Sequence, residues 1–127
     1  MENVLVHVEG LSKSFSVSHG LFSNAKMYVH AVDQVSLNIY KGEILGLIGE
    51  SGSGKTTLAR IMLGLTSASA GKVEIEGKNI VGADKKTLQA VRSKMAVVFQ
   101  DPAANLNPRQ TVERSIVRPL RIRGVSA

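Results

Sequence analysis

At 127 residues the chain is at most one small domain, or part of a larger one. Its hydrophobic content of 43% is enough for a core and excludes global disorder, and the absence of cysteine excludes a disulfide framework and a thiolate metal site. The net charge of +6 is uneven: residues 1–77 carry 6 Lys/Arg against 7 Asp/Glu, and residues 78–127 carry 10 against 3. Such asymmetry marks an anionic contact surface, a solvated face or a face that meets other protein. The few aromatic residues are not interleaved with the bases, so no nucleic-acid partner is expected. His7, His19 and His30 have no metal-ligand spacing and read as surface or packed histidines. No signal peptide is expected, and no apolar run approaches the ~20 residues that span a bilayer. Any membrane role runs through a partner.

In chain order, Val4, Val6 and Val8 alternate with Leu5 and His7, the pattern of a strand. Residues 16–31 are polar, contain Gly and Ser and lack a clear period, so a loop is expected there. Val35, Leu37 and Ile39 alternate again, and Lys41-Gly42 turns the chain into the apolar run Ile44, Leu45, Leu47 and Ile48. That run reads as a buried parallel strand. The helix expected after it has Leu58, Ile61, Met62 and Leu65 at i, i+3, i+4 and i+7.

Between strand and helix stands Gly49-Glu50-Ser51-Gly52-Ser53-Gly54-Lys55-Thr56-Thr57, which fits the phosphate-loop pattern G-x-x-x-x-G-K-[ST]. The chemistry explains the residue types. Glycines let successive backbone N–H groups turn inward toward phosphate oxygens. The helix that opens near Gly54 adds unpaired N–H groups and the positive end of its dipole. Lys55 reaches the β- and γ-phosphates, and the Thr56 hydroxyl is placed for Mg²⁺. Thr57 is expected to help hold the α-phosphate.

Residues 67–71 form a small-residue loop, after which Val73 and Ile75 alternate with Glu74 and Glu76. Gly77-Lys78 suggests a hairpin into Asn79-Ile80-Val81. Asp84 is a candidate cap for a helix with Leu88, Val91 and Met95 on its apolar side. Residues 96–99 form a second buried-strand run, which Gln100-Asp101-Pro102 ends. Thr111 is a plausible cap for a helix carrying Val112, Ile116 and Leu120, and Pro119 is expected to kink or end it. There is no internal repeat.

Together these residues resemble the nucleotide-binding subunit of ABC transporters. Residues 49–57 look like that family's Walker A loop, and Val98-Phe99-Gln100-Asp101-Pro102 looks like its Q-loop, with Gln100 as the glutamine. Phe15 stands where the family places the aromatic that stacks on adenine, a position more often held by tyrosine. The likeness is nearest to ATPases of oligopeptide, dipeptide and nickel importers. It rests on Gly49-Glu50-Ser51-Gly52, the insert before Ala31-Val32-Asp33, and Leu106-Asn107-Pro108-Arg109.

The resemblance implies an α/β fold: a P-loop NTPase core with a mixed sheet plus an antiparallel β subdomain, truncated at the start of the helical subdomain. Residues 16–31 would be a loop insert and residues 111–127 the start of the helical subdomain. It implies ATP and Mg²⁺ as ligands, with Gly49, Ser51, Gly52, Ser53, Gly54, Lys55, Thr56, Thr57 and Phe15 holding the nucleotide. Thr56 and Gln100 would serve the metal, and Lys55 and Gln100 the catalytic step. The implied partners are membrane permease subunits, a second ATP-binding subunit and, indirectly, an extracytoplasmic substrate-binding protein, at the cytoplasmic side of the membrane. The 127 residues contain no LSGGQ-like signature, no apolar strand ending in Asp-Glu after residue 101 and no later histidine. Nucleotide binding without efficient hydrolysis is therefore expected of these residues alone.

Two alternatives stand beside this. In a self-contained small P-loop kinase or GTPase, residues 95–99 would be the Walker B strand and Asp101 the Mg²⁺ ligand. Against it, Gln100 intervenes, Pro102 turns the chain at once, and no N-K-x-D motif is present. In an inert remnant, an uncovered sheet edge and a small buried fraction would leave the chain marginally stable.

Overall fold

The computed structural model describes residues 3–18 and 26–125. The chain forms two units, Met1–Arg92 and Ser93–Ala127.

The first unit is built on two long antiparallel strands, β1 (Val4–Ser18) and β2 (Lys26–Tyr40). A short hairpin, β3 (Ala70–Ile75) and β4 (Lys78–Asn79), adds to β1, so the sheet order is β2-β1-β3-β4 and every pairing is antiparallel. The alternation read in the sequence sets the buried face. Val8 pairs with Val73 and Val6 with Ile75, and Val8, Val73 and Ile75 are buried. Lys72 and Glu74 lie on the other side and form an ion pair at 2.9 Å. Between Val8 and Leu11 the register shifts, with Gly10 at φ 53. The extra residue lets both Val8 and Leu11 turn inward although they are three apart. Glu76 and Gly77, both with positive φ, make the two-residue turn between β3 and β4.

Helix α1 (Lys55–Met62) buries Leu58 and Ile61 and touches β2, whose Val32 is buried. Its end is a glycine-stopped turn: Gly64, at φ 66, donates to the Ile61 carbonyl, and Leu65 donates to that of Arg60. Leu65, expected on the apolar face, lies beyond this stop and is exposed. Helix α2 (Lys85–Arg92) buries Val91 and is capped by Asp84, whose Oδ1 accepts from the Thr87 amide at 2.7 Å. Hydrogen bonding from Thr87 holds the Asp84 carboxyl below its ordinary range. Met95 lies outside this helix, which ends at Arg92, where the guanidinium donates to the Gly64 carbonyl.

The second unit contains the single turn α3 (Pro102–Asn105) and α4 (Val112–Ile122). Asp101 Oδ1 accepts from the Ala104 amide, and Thr111 Oγ1 from that of Arg114 at 3.2 Å, so Thr111 caps α4 as expected. No described residue of α4 is buried, and Val112, Ile116 and Leu120 are exposed.

Several local expectations are corrected. Residues 16–18 and 26–31 are strand, not loop, because the two arms pair: Ser14 with His30, Phe15 with Val29, Ser16 with Tyr28 and Val17 with Met27, with Ala31 the extra residue at a register shift. Residues 19–25, His19 included, and residues 126–127 lie outside the described residues. Residues 44–48 and 96–99 are not strands. Ile44 and Ile48 are 97% and 96% exposed, and Val98 is 89% exposed. A strand needs a neighbour for its N–H and C=O groups, and no described residue pairs with either run. Pro119 does not end α4, which continues to Ile122. Its missing N–H costs the helix one bond within a segment that is exposed to solvent.

Candidate functional site: a phosphate-binding loop

The loop from Gly49 to Gly54 closes on itself. The Ser53 amide donates to the Glu50 carbonyl at 3.2 Å, and Gly52 sits at φ 81. Gly54 is the N-cap of α1, at φ 89 and ψ −2, and with no side chain it leaves the first amides of the helix without a side-chain cap. These amides are the donors that an anion at a helix N-terminus would meet.

Gly54 also determines where the loop stands. A Cβ built on it would lie 1.9 Å from the Ala31 carbonyl oxygen. The helix therefore opens directly against β2, at the outer edge of the sheet. A Cβ on Gly49 would lie 2.9 Å from Ser53 Oγ, so the loop is tight at its entrance as well.

Lys55 folds back into this ring. Its Nζ donates to the Gly49 carbonyl at 2.7 Å, the Glu50 carbonyl at 2.5 Å and Ser53 Oγ at 3.1 Å. All three ammonium protons are thus engaged by the loop. Next to it lies a cavity of about 140 Å³ lined by Ala31 and residues 52–57, Thr56 and Thr57 included. A second cavity, of about 520 Å³, is lined by residues of β2 from His30 to Leu37 together with Leu47, Ile48, Lys55 and Leu58.

Of the residues singled out in the sequence, Gly49, Gly52, Ser53, Gly54, Lys55, Thr56 and Thr57 are brought together here, with the exposed Ser51 inside the same turn. Phe15 lies in the same unit, on β1, 44% exposed. Lys13 Nζ rests 5.0 Å from its ring centroid. Gln100 belongs to the second unit, where it is exposed. Ala31 was not recognised from the sequence. It contributes a backbone carbonyl, which no side-chain pattern announces, and it stood in a segment expected to be loop. Lys13 was also missed. Its spacing of two residues from Phe15 within a strand was the available signal.

Comparison with known proteins places the chain. Residues 32–124 match the family model described as ABC transporter. The chain is 42% identical over 121 residues to the glutathione import ATP-binding protein GsiA of Salmonella paratyphi A, a match covering 95% of this chain and 19% of that protein. It is 42% identical over 120 residues to the probable peptide ABC transporter ATP-binding protein y4tS of Sinorhizobium fredii, covering 94% of this chain and 34% of that one. In structure it is similar to the ATP-binding cassette MJ0796, solved as a dimer in a post-hydrolysis state bound to ADP and Pi. The TM-score is 0.79 at 29% identity, over 96% of this chain and 49% of that one. The chain thus spans about half the length of a solved cassette and a fifth to a third of the length of these curated relatives. With its phosphate loop capping α1 against an antiparallel sheet, the chain belongs to the ABC transporter family.

Proposed function

We propose that these residues form the nucleotide-binding part of an ATP-hydrolysing subunit of an ABC importer, one that serves peptide-like substrates. The observation that carries this is the small cavity at the start of α1, where uncapped amides, Lys55, Thr56 and Thr57 surround a space suited to phosphate. The names of the glutathione and peptide import relatives support the substrate class.

In this reading the nucleotide's β- and γ-phosphates draw Lys55 away from the Glu50 carbonyl and accept from the amides of residues 52–56. The Thr57 hydroxyl serves the α-phosphate, and Phe15 stacks on adenine. The Thr56 hydroxyl is the oxygen donor that the loop offers to Mg²⁺. Mg²⁺ takes one or two protein oxygens and completes its shell with water and phosphate, so so small a donor set suits it. When bound, the ion neutralises charge on the transferring phosphoryl group. Gln100, in the second unit, serves the coupling step beside a permease contact on the basic stretch 101–123. The stretch that starts at Thr111 opens a helical subdomain. The working assembly is a pair of ATP-binding subunits beneath membrane permease subunits, on the cytoplasmic side, fed by an extracytoplasmic binding protein. Among the described residues no helix is long and apolar enough to cross a membrane.

A Mg-ATP titration on this chain tests the reading. Saturable binding is expected, weakened at least about 30-fold in Lys55→Ala, equivalent to ~2 kcal/mol for lost charged hydrogen bonds. Binding indifferent to Lys55 would refute it. Steady ATP turnover is not expected of these residues alone, and turnover abolished by Lys55→Ala would overturn that part. In the longer protein, Gln100→Ala is expected to spare ATP affinity and impair transport, and unchanged transport would remove Gln100 from the coupling step.

A further inference from the structure

We propose that Lys13 is a positioning residue for the nucleotide base. The inference rests on the reading of Phe15 as the stacking platform. Lys13 Nζ lies 5.0 Å from the Phe15 ring centroid, within the range of a cation–π contact. The same Nζ donates to Ser67 Oγ at 3.3 Å. Ser67 belongs to the loop that follows α1, and that loop is zipped to β1 by two further bonds. The Ser69 amide donates to the Ser12 carbonyl at 2.8 Å, and the Ser14 amide donates to Ser69 Oγ at 3.0 Å. Lys13 is therefore held at two points, and through it the Phe15 ring is held to the segment that begins at the phosphate loop.

The geometry relates this ring to the phosphate site. Phe15 pairs with Val29, and Ala31, two residues further along β2, presents the carbonyl against which Gly54 packs. Ala31 is the extra residue at the register shift between the Lys13–Val32 and Ser14–His30 pairs, so its backbone lies within about 8 Å of that of Phe15, at most two strand rises along and one spacing across. A ribose with one or two phosphates bridges such a span.

A flat ring offers two faces. Lys13 occupies one, and Phe15 as a residue remains exposed, with room for a second partner. A cation on one face draws π density toward itself and leaves the opposite face better suited to an electron-rich purine. Lys13 thus fixes the tilt of the ring and favours base stacking on its far side, with no contact to phosphate.

The test compares two ligands on the 127-residue chain: ATP, and inorganic triphosphate as a probe without a base. Lys13→Met, which keeps the length and loses the charge, is expected to weaken ATP two- to fivefold, the range of an exposed cation–π contact, and to leave triphosphate affinity unchanged. Lys13→Arg, which retains a cation over the ring, is expected to restore ATP affinity to within about twofold of the parent. In a Phe15→Ala background, Lys13→Met is expected to have no further effect on ATP. Equal weakening of ATP and triphosphate in Lys13→Met would assign the lysine to phosphate and overturn the proposal. So would unchanged ATP affinity in Lys13→Met while Phe15→Ala weakens ATP, which would leave the platform itself standing. Phe15→Ala without effect on ATP would remove the platform, and this inference with it. Failure of the parent chain to bind ATP would overturn the proposed function instead.

Discussion

Replacing Gly54 by Ala separates two costs that glycine avoids at this loop. The first is conformational. At φ 89 an L-residue occupies left-handed backbone, which costs about 1–2 kcal/mol. Gly52, at φ 81 with nothing within 4 Å of a built Cβ, would incur only this first cost. The second is steric and belongs to Gly54. Its Cβ would lie 1.9 Å from the Ala31 carbonyl oxygen and 3.1 Å from that carbonyl's carbon. A close C···O approach is roughly 3.3 Å, so α1 and β2 must part by more than about 1 Å. The obstacle is backbone and cannot rotate away. Moving it loosens the packing of Leu58, Ile61 and Val32, all buried, and overpacking of this kind costs about 1–3 kcal/mol. Gly54→Ala should thus destabilise by ~2–5 kcal/mol and Gly52→Ala by ~1–2. Small domains are stable by about 5–15 kcal/mol, so the first change removes much of the total. Denaturant titration followed by far-UV circular dichroism measures both. If Gly54→Ala falls within about 0.5 kcal/mol of Gly52→Ala, the close approach to Ala31 does not determine the position of the loop.

Two further predictions concern the helices. Asp84 caps α2 with a carboxyl held below its ordinary range by Thr87, so its contribution is present at pH above the ordinary carboxylate value and is lost as pH falls through the depressed folded-state value. The stability gap between the parent and Asp84→Ala should therefore close on acidification, and a gap constant from pH 7 to pH 3 would show that the charge is not what caps the helix. Pro119 interrupts the bond ladder of a helix with no described residue buried, so Pro119→Ala should raise α4 helicity and stabilise it by up to about 3 kcal/mol. Amide exchange across residues 112–122 reads this directly, and unchanged protection would mean that α4 already tolerates proline without cost.

The parts of the fold that were legible are those where local pattern and local partner coincide. Val8 and Val73 were readable because alternating residues meet across a strand pair within one sheet. Leu58 and Ile61 were readable because a helix repeats its face over a few residues. The caps at Asp84 and Thr111 are short-range bonds announced by residue type. The parts that escaped depend on partners that composition does not name. The long hairpin across residues 14–18 and 26–30 is built from Ser, His and Tyr beside Val and Phe; the first arm alternates over only five residues, and the pairing of the two arms is what makes both strand. Residues 44–48 show the converse. Their composition suits a strand buried on both faces, yet without a neighbour among the described residues they remain exposed. At the candidate site, the loop itself was evident from spacing, whereas the carbonyl of Ala31 and the ammonium of Lys13 were not. The first meets Gly54 only once the hairpin is folded, and the second meets Ser67 only once the loop after α1 lies along β1.

This asymmetry bears on how the loop is ordered. Its C-terminal end is fixed by α1, through Gly54 against Ala31 and through the buried Leu58 and Ile61. Its N-terminal end follows a segment whose Ile44 and Ile48 are almost wholly exposed. What joins the two ends is the Lys55 ammonium, a residue of the helix bonded to the carbonyls of Gly49 and Glu50. Under the proposed function Lys55 therefore has two roles that compete. Without phosphate it closes the loop; with phosphate it must release at least one carbonyl to bond the ligand, since it has only three protons and all are engaged. The exchange replaces neutral acceptors by charged oxygens, which bond an ammonium about twice as strongly. Binding is then favoured by the stronger bonds and opposed by loosening of the Gly49 end. Any additional protein that paired with residues 44–48 would remove that opposition and raise nucleotide affinity without touching the nucleotide.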